Sequence, residues 1–496
     1  MNGLGSAHSS LMYLGLDCGT SGLKALLTDE SGAPIASATR AYLPDRPRPS
    51  WTEQDPDVWR AAMAGAVADL RAAAPKALGA VHAIGFSGQM HGAVALDRSD
   101  KPVRPAILHN DGRAHVEAAE LARDYPQLSG VVGVKPMPGF TGPKLLWLSR
   151  FEPTARRRID CVLAPKDYLR LALCGERGTD VSDAAGTWML DEAARNWSLE
   201  AVAACNAEPA WMPPLSEGPS PVGKVRSAAA DEFGLPRALV VAGGGDAAVG
   251  AVGLGAIAPG EAFVSLGTAT QLIVTTDRYL RAPDKLVHSF AHALPDRWYA
   301  MAAMLNGAGA LAFAGRLLGE TPDSLERAAA DGYLGPGELL FLPYLSGERT
   351  PLDDPYACGV LFGMTETTSR ADVTRAVMEG VALTLADARD CLRAAGAKIE
   401  RIGLIGGGAK SSLWTRMIAA ATGFTVVRMQ GGETGPAFGA ARLARMGATG
   451  EPAEAVCTPP KIADVTRPEP ELTAAFAKQR DRFTALYAAV KAEFRR

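Results

Sequence analysis

Residues Tyr13-Leu14-Gly15-Leu16-Asp17-Cys18-Gly19-Thr20-Ser21-Gly22-Leu23-Lys24 decide how this chain is read. The apolar run ending in Asp17 predicts a strand over 11–17, the glycines and hydroxyls of 18–22 a tight turn, and 23–28 the returning strand. The product is a β-hairpin with a carboxylate at its strand end. About half a chain later the plan returns, with Ala262–Leu266 as a strand, Gly267-Thr268-Ala269-Thr270 as a turn and 271–275 as the partner. Gly267 and Thr268 stand where Gly19 and Thr20 stand, but Ser265 replaces Asp17. The repeat predicts a duplicated architecture in which only one half brings the negative charge.

Between and after the hairpins, strand and helix patterns alternate. An amphipathic run predicts a helix over 56–74 and a strand follows over 81–86. Over 372–392, Val373, Val377, Val381 and Leu385 recur at four-residue steps, and Ser369 with Asp372 forms a capping box at the start. This mixed order predicts α/β domains. The Gly- and Ala-rich stretch 243–260 separates the hairpins and places the boundary near 254–258. The expectation is an N-terminal domain over 11–255 and a C-terminal domain over 256–496 that closes on a helical extension. Residues 1–10 are expected to form a disordered tail.

At 496 residues the chain is long enough for two or three domains with ample cores. Fifty-one Lys and Arg against 54 Asp and Glu give a formal charge of −3, so nothing draws it broadly to nucleic acid or an anionic membrane. The seven cysteines (Cys18, Cys161, Cys174, Cys205, Cys358, Cys391, Cys457) form no CxxC pair, which argues against a disulfide scaffold or a zinc site and fits a reducing cytosol. The N-terminus has no basic n-region of a secretory signal. The weakly charged stretch 247–276 is interrupted by Pro259 and Glu261, against a membrane span. A cytoplasmic protein with small-molecule partners is expected.

Several motifs carry chemistry. Backbone N–H groups of a glycine turn can surround phosphate oxygens, and an adjacent carboxylate such as Asp17 can hold Mg²⁺ directly or through its waters. Gly243-Gly244-Gly245-Asp246 follows an apolar strand over 238–242 and opens a helix. There Asp246 is either an N-cap or the acceptor of a substrate hydroxyl proton, and the three glycines favour the second by clearing side chains from a ligand's path. Gly406-Gly407-Gly408-Ala409-Lys410-Ser411 approaches a phosphate-binding P-loop, but Ala409 separates the glycine from Lys410 and that reading fails. A glycine turn at a helix start still suits a nucleotide, and Gly435-Pro436 opens another helix. Gly88-Gln89-Met90-His91-Gly92 reads as a sugar-facing turn, against the plainer reading of a structural histidine. His288 and His292 lie four apart without the glutamate of a metal-binding HExxH helix, in a segment that reads as extended.

Together these residues resemble the FGGY carbohydrate kinases over about 13–440. Further matches are Asn110-Asp111-Gly112-Arg113, Met137-Pro138-Gly139-Phe140-Thr141, Lys144-Leu145-Leu146-Trp147, Pro165-Lys166-Asp167-Tyr168-Leu169-Arg170, Ser182-Asp183-Ala184-Ala185-Gly186-Thr187, His288-Ser289-Phe290 and Phe341 through Pro351. The resemblance implies two RNase-H-like domains of the actin and hexokinase type flanking a central cleft. It implies ATP as phosphoryl donor, Mg²⁺, and a ketose acceptor, D-xylulose, phosphorylated at its terminal hydroxyl. Asp246 then matches the general base, Met90 and His91 the sugar contacts, and Asp17 the metal-linked carboxylate. Thr20, Ser21, Gly267, Thr268, Gly407 and Gly408 match nucleotide-facing positions, and Asn110 and Asp111 stand near the sugar. The family also implies a homodimer, which no residue pattern here marks. Ala247 and His109 depart from the family's usual Asn and Trp, and the second hairpin reads Gly-Thr-Ala-Thr where Gly-Thr-Ser-Gly is more usual. Two other readings stay open: a related kinase acting on ribulose, gluconate, glycerol or a deoxy-ketose, and an actin- or chaperone-like nucleotide switch.

Overall fold

Apolar side chains along β1 (Met12–Cys18) and β2 (Gly22–Thr28) bury both strands, and their hairpin pairs Asp17 with Lys24 and Cys18 with Leu23. These strands form the middle of a seven-stranded sheet in a computed structural model that describes residues 11–430 and 435–495. The tail expected at 1–10 lies outside the described residues. The sheet's other members are β3 (Pro34–Ala41), β4 (Val81–Gly88), β5 (Pro221–Lys224), β6 (Leu239–Val241) and the two-residue β7 (Gly244–Gly245). Their order is β5-β6-β4-β1-β2-β3, with β7 paired to β4.

The second sheet is built from β8 (Ala262–Leu266), β9 (Thr270–Thr276), β10 (His288–Ala291), β11 (Trp298–Met304), β12 (Arg401–Ile405), β13 (Thr425–Met429) and β14 (Ile462–Thr466). Its order is β10-β11-β9-β8-β12-β13-β14. Five consecutive strands of each sheet follow one plan, β6-β4-β1-β2-β3 and β13-β12-β8-β9-β11. In both, the hairpin is antiparallel and the strands on its other side run parallel. The duplication first visible in two hairpins therefore extends through both sheets, in a two-domain α/β fold.

Helices cover these sheets as their patterns require. The helix Pro56–Ala73, capped by Asp55, buries Trp59, Met63, Val67 and Leu70 in the first core. The helix Arg370–Ala394 carries the expected capping box: Asp372 N–H donates to Ser369 Oγ at 3.2 Å and Ser369 N–H donates to Asp372 Oδ2 at 3.0 Å. Such a cap typically contributes about 1 kcal/mol. Val377, Val381 and Leu385 of this helix lie in the second core. No described helix is long and apolar enough to cross a membrane.

The chain does not divide at one cut. The first unit holds 11–257, Phe290–Trp298 and the segment from the helix Pro436–Thr449 to Pro459; the second holds Ala258–Ser289, 299–430 and 460–495. Relative to a division into 11–255 and 256–496, the compact units differ in that a late helix packs with the first. The cause is close packing: a Cβ at Gly15 of β1 would lie 1.9 Å from the Ala437 carbonyl oxygen, and one at Gly85 of β4 2.0 Å from that of Ala440. Those glycines let the helix backbone lie directly on the sheet, a contact that no hydropathy pattern announces.

Candidate functional site

In the first unit, strand pairing brings the two predicted acids to one end of the sheet. Asp17 lies opposite Ser87 of β4, and Gly244 of β7 pairs with the same Ser87 from the other side. Asp246 begins the next helix, Asp246–Leu254. Asp17 Oδ1 is buried without a hydrogen-bond partner, and burial pushes the carboxyl up to about 6, opposed by the neighbouring Ser87 hydroxyl and Lys24 ammonium. Asp246 is pushed up to about 7, by desolvation first and then by the Asp17 charge, while the Ala247 N–H at 2.7 Å pulls it down. Asp246 is nevertheless among the exposed residues, so an accessible carboxylate sits in a densely walled surround. A carboxylate near 7 is well matched to accepting a proton at neutral pH.

The helix cap is Gly245, so Asp246 occupies the first helical position and is not the N-cap. The glycines before it also do something other than clear a ligand's path. A Cβ at Gly244 would meet Ala293 and Ser182 Oγ at 2.9 Å, and one at Gly245 would meet Met90 Cγ at 2.7 Å. They are glycines because side chains of the unit pack against them.

The 88–92 turn is held from several directions. His91 adopts a left-handed φ of 69°, a costly conformation for a residue with a Cβ. Its carbonyl accepts from Lys144 Nζ at 2.8 Å and Thr141 Oγ1 at 3.1 Å, its Nδ1 lies 2.7 Å from the Gly186 carbonyl oxygen, and Phe140 meets its ring edge-on at 4.6 Å. Lys144 is fully buried and spends its donors on backbone carbonyls, here and at Ile107; desolvation drives its pKa well below the ordinary value. Met90 is buried between Gly245 and Gly186. Gln89 faces inward, its Oε1 3.2 Å from His109 Nδ1 and 3.4 Å from Thr20 Oγ1, so His109 is tied to the turn of the first hairpin. Ser21 is exposed at that turn. Asp111 accepts from Arg113 and from the Thr52 N–H, which makes it a brace of its own loop.

A buried charge cluster lies beneath this turn, and its role was not read from the sequence. Lys166 Nζ stands 2.6 Å from Asp167, 2.7 Å from Asp180 and 3.4 Å from Asp183, all fully or almost fully buried. Desolvation works against the Lys166 charge, but Asp167 and Asp180 outweigh it and raise its pKa. Asp183 is driven well above the carboxylate range by burial, against the pull of Lys166. The available signal was charge inside helices that otherwise read as buried, since interior charges demand partners.

The second unit supplies the other glycine turns. Gly267, Thr268 and Ala269 connect β8 to β9, with Thr268 exposed, and the helix Ala308–Leu318 braces them through Ala308 N–H to the Gly267 carbonyl at 2.7 Å. After β12, Gly406 takes φ 93°, a left-handed value that suits glycine. Gly407 is exposed with open space beyond it, whereas Gly408 is buried against Leu266. Ser411 caps the helix Ser412–Thr422. His288 and His292 are both buried, and His288 lies in β10.

Comparison with known proteins gives a consistent result. The model of the FGGY family of carbohydrate kinases, N-terminal domain, matches residues 12–253, and that of its C-terminal domain matches 262–448. The chain is 43% identical to a xylulose kinase of Escherichia coli over 484 residues, 96% of this chain and 98% of that protein. It superposes on the crystal structure of a xyloylose kinase from Brucella ovis with a TM-score of 0.94 and 44% identity, covering 97% of this chain and 99% of that one. For a xylulose kinase from Rhodospirillum rubrum the values are 0.91 and 27%, covering 98% and 100%.

Proposed function

The chain belongs to the FGGY family of carbohydrate kinases, and from that premise we propose that it transfers the γ-phosphoryl group of ATP to the terminal hydroxyl of D-xylulose, giving D-xylulose 5-phosphate and ADP. The observation that carries the mechanism is Asp246, accessible yet held near 7 with the Asp17 charge nearby. Asp246 accepts the proton of the attacking hydroxyl, which sharpens the nucleophile as it approaches phosphorus. His91, locked in its strained conformation, and Met90 position the ketose. Thr20, Ser21, Gly267, Thr268 and Gly407 offer donors to the phosphates, while Gly408 shapes its turn from beneath. The xylulose kinases among the relatives support the choice of sugar.

Mg²⁺ fits this reading, because the buried, unpartnered Asp17 Oδ1 is the kind of oxygen that binds a hard cation or its water shell. Bound there, the ion would neutralise phosphate charge. The same reading places the enzyme in the cytoplasm, as a homodimer. Release of ADP from ATP and Mg²⁺ should be stimulated by D-xylulose far above D-ribulose, L-ribulose, gluconate and glycerol. Stronger stimulation by another polyol would keep the kinase and discard the sugar, and no stimulation by any would favour a nucleotide switch.

A further inference from the structure

The residue run before Asp246 poses a mechanical problem. Gly243, Gly244 and Gly245 have no side chains with which to anchor themselves, and glycine is the most mobile backbone unit available. A general base must nevertheless be held to within a fraction of an ångström, since displacement of about 1 Å can cost on the order of 10²-fold in rate. Pairing of β7 with β4 holds the run on one side. On the other side, among the described residues, one side-chain hydrogen bond reaches it: the Gly245 N–H donates to Ser182 Oγ at 3.0 Å.

That hydroxyl is itself oriented. Ser182 Oγ donates to Asp180 Oδ1 at 2.5 Å, which turns a lone pair toward Gly245. Asp180 also caps the short helix Val181–Ala185 through the N–H groups of Ser182 and Asp183, and its second oxygen lies 2.7 Å from Lys166 Nζ. Lys166 is fixed in turn by Asp167 at 2.6 Å, whose other oxygen accepts from Thr179 Oγ1 at 2.6 Å. Each member is almost wholly buried, so each contact is made in a medium where leaving a polar group unpaired is expensive. The chain of contacts ends at the N–H of Gly245, the residue before Asp246.

We propose that Ser182, oriented by Asp180 and Lys166, is a positioning residue that clamps the Gly245 peptide and thereby fixes Asp246 for proton transfer. This rests on the reading of Asp246 as the base. The clamp acts on the backbone of Gly245 through the buried Ser182 hydroxyl, so its loss is expected in the chemical step and not in binding.

The test compares steady-state kinetics of Ser182→Ala and Ser182→Cys with the unaltered enzyme and with Asp246→Asn, alongside thermal melts. Ser182→Ala should lower kcat by at least ~10-fold while KM for ATP and for the ketose stay within about twofold. Ser182→Cys, which keeps the shape and a weak acceptor, should lose less. Unaltered kcat in both serine variants beside an inactive Asp246→Asn would overturn the clamp and leave the base standing. A loss that appears as raised KM at constant kcat would also overturn it. Should Ser182→Ala fail to fold, Ser182→Cys decides alone, and unaltered turnover there counts against the clamp. An active Asp246→Asn would instead remove the base reading on which the clamp depends.

Discussion

The two hairpins share a plan and differ in charge. Asp17, one residue from the end of β1, stands opposite Lys24, whereas Ser265 stands opposite Gln271 in the second hairpin. Around the first, the unit gathers Asp246, Lys144, Lys166, Asp180 and Asp183, most of them buried; around the second stand glycines, threonines and a helix that braces them. Equal topology therefore carries unequal electrostatics. Proton transfer needs a carboxylate whose pKa is lifted by burial and a like-charged neighbour, and phosphate binding needs exposed backbone donors.

That contrast can be broken most severely at the base. Asp246→Asn should cut turnover by at least ~10²-fold, measured as ketose-dependent ADP release. It also carries a stability signature. Folded Asp246 holds its proton to about 7, well above the ordinary carboxylate value to which it returns when unfolded. Between those values the folded state binds more protons than the unfolded state, so stability falls as pH rises through the window. Urea melts should show Asp246→Asn losing less stability than the unaltered enzyme between about pH 4 and pH 8.

Asp17→Asn gives the first hairpin the neutrality of the second. Turnover should drop by about 10-fold with a higher Mg²⁺ requirement, and the low-pH limb of the rate profile should move to lower pH because one cause of the raised Asp246 pKa is gone. An unmoved limb would detach the two carboxylates. The smallest effect is expected at Lys144→Met, which keeps the packed volume but releases the His91 carbonyl. KM for the ketose should rise several-fold with little change in KM for ATP, and an equal rise in both would separate Lys144 from the sugar turn.

Much of this was legible in advance. The hairpins, the helix Arg370–Ala394 with its Ser369 and Asp372 cap, and a helix opening just after the glycines 243–245, expected at Ala247 and found one residue earlier, follow from local rules of periodicity, capping and turn chemistry. Asp17, His91 and Asp246 stood out as polar residues beside glycines at strand ends, each with a structural alternative, and Met90 stood out only through the family resemblance. What stayed hidden depended on partners distant in sequence. Gly244 and Gly245 looked like an opening for a ligand, yet Ser182 and Met90 fill the space beside them. Lys144 and Lys166 sat in recognisable motifs, but nothing local said whose carbonyl or carboxylate each would meet.

The amino-acid sequence by itself determined the kind of elements, their duplication and the identity of the acids, because those rest on interactions a few residues apart. Only the tertiary structure decided that the helix Pro436–Thr449 returns to the first unit, that Asp17 lies close enough to raise the pKa of Asp246, and that Ser182 reaches Gly245. Such contacts join positions up to hundreds of residues apart, and they exist only once the chain has closed its loops and expelled water from between them.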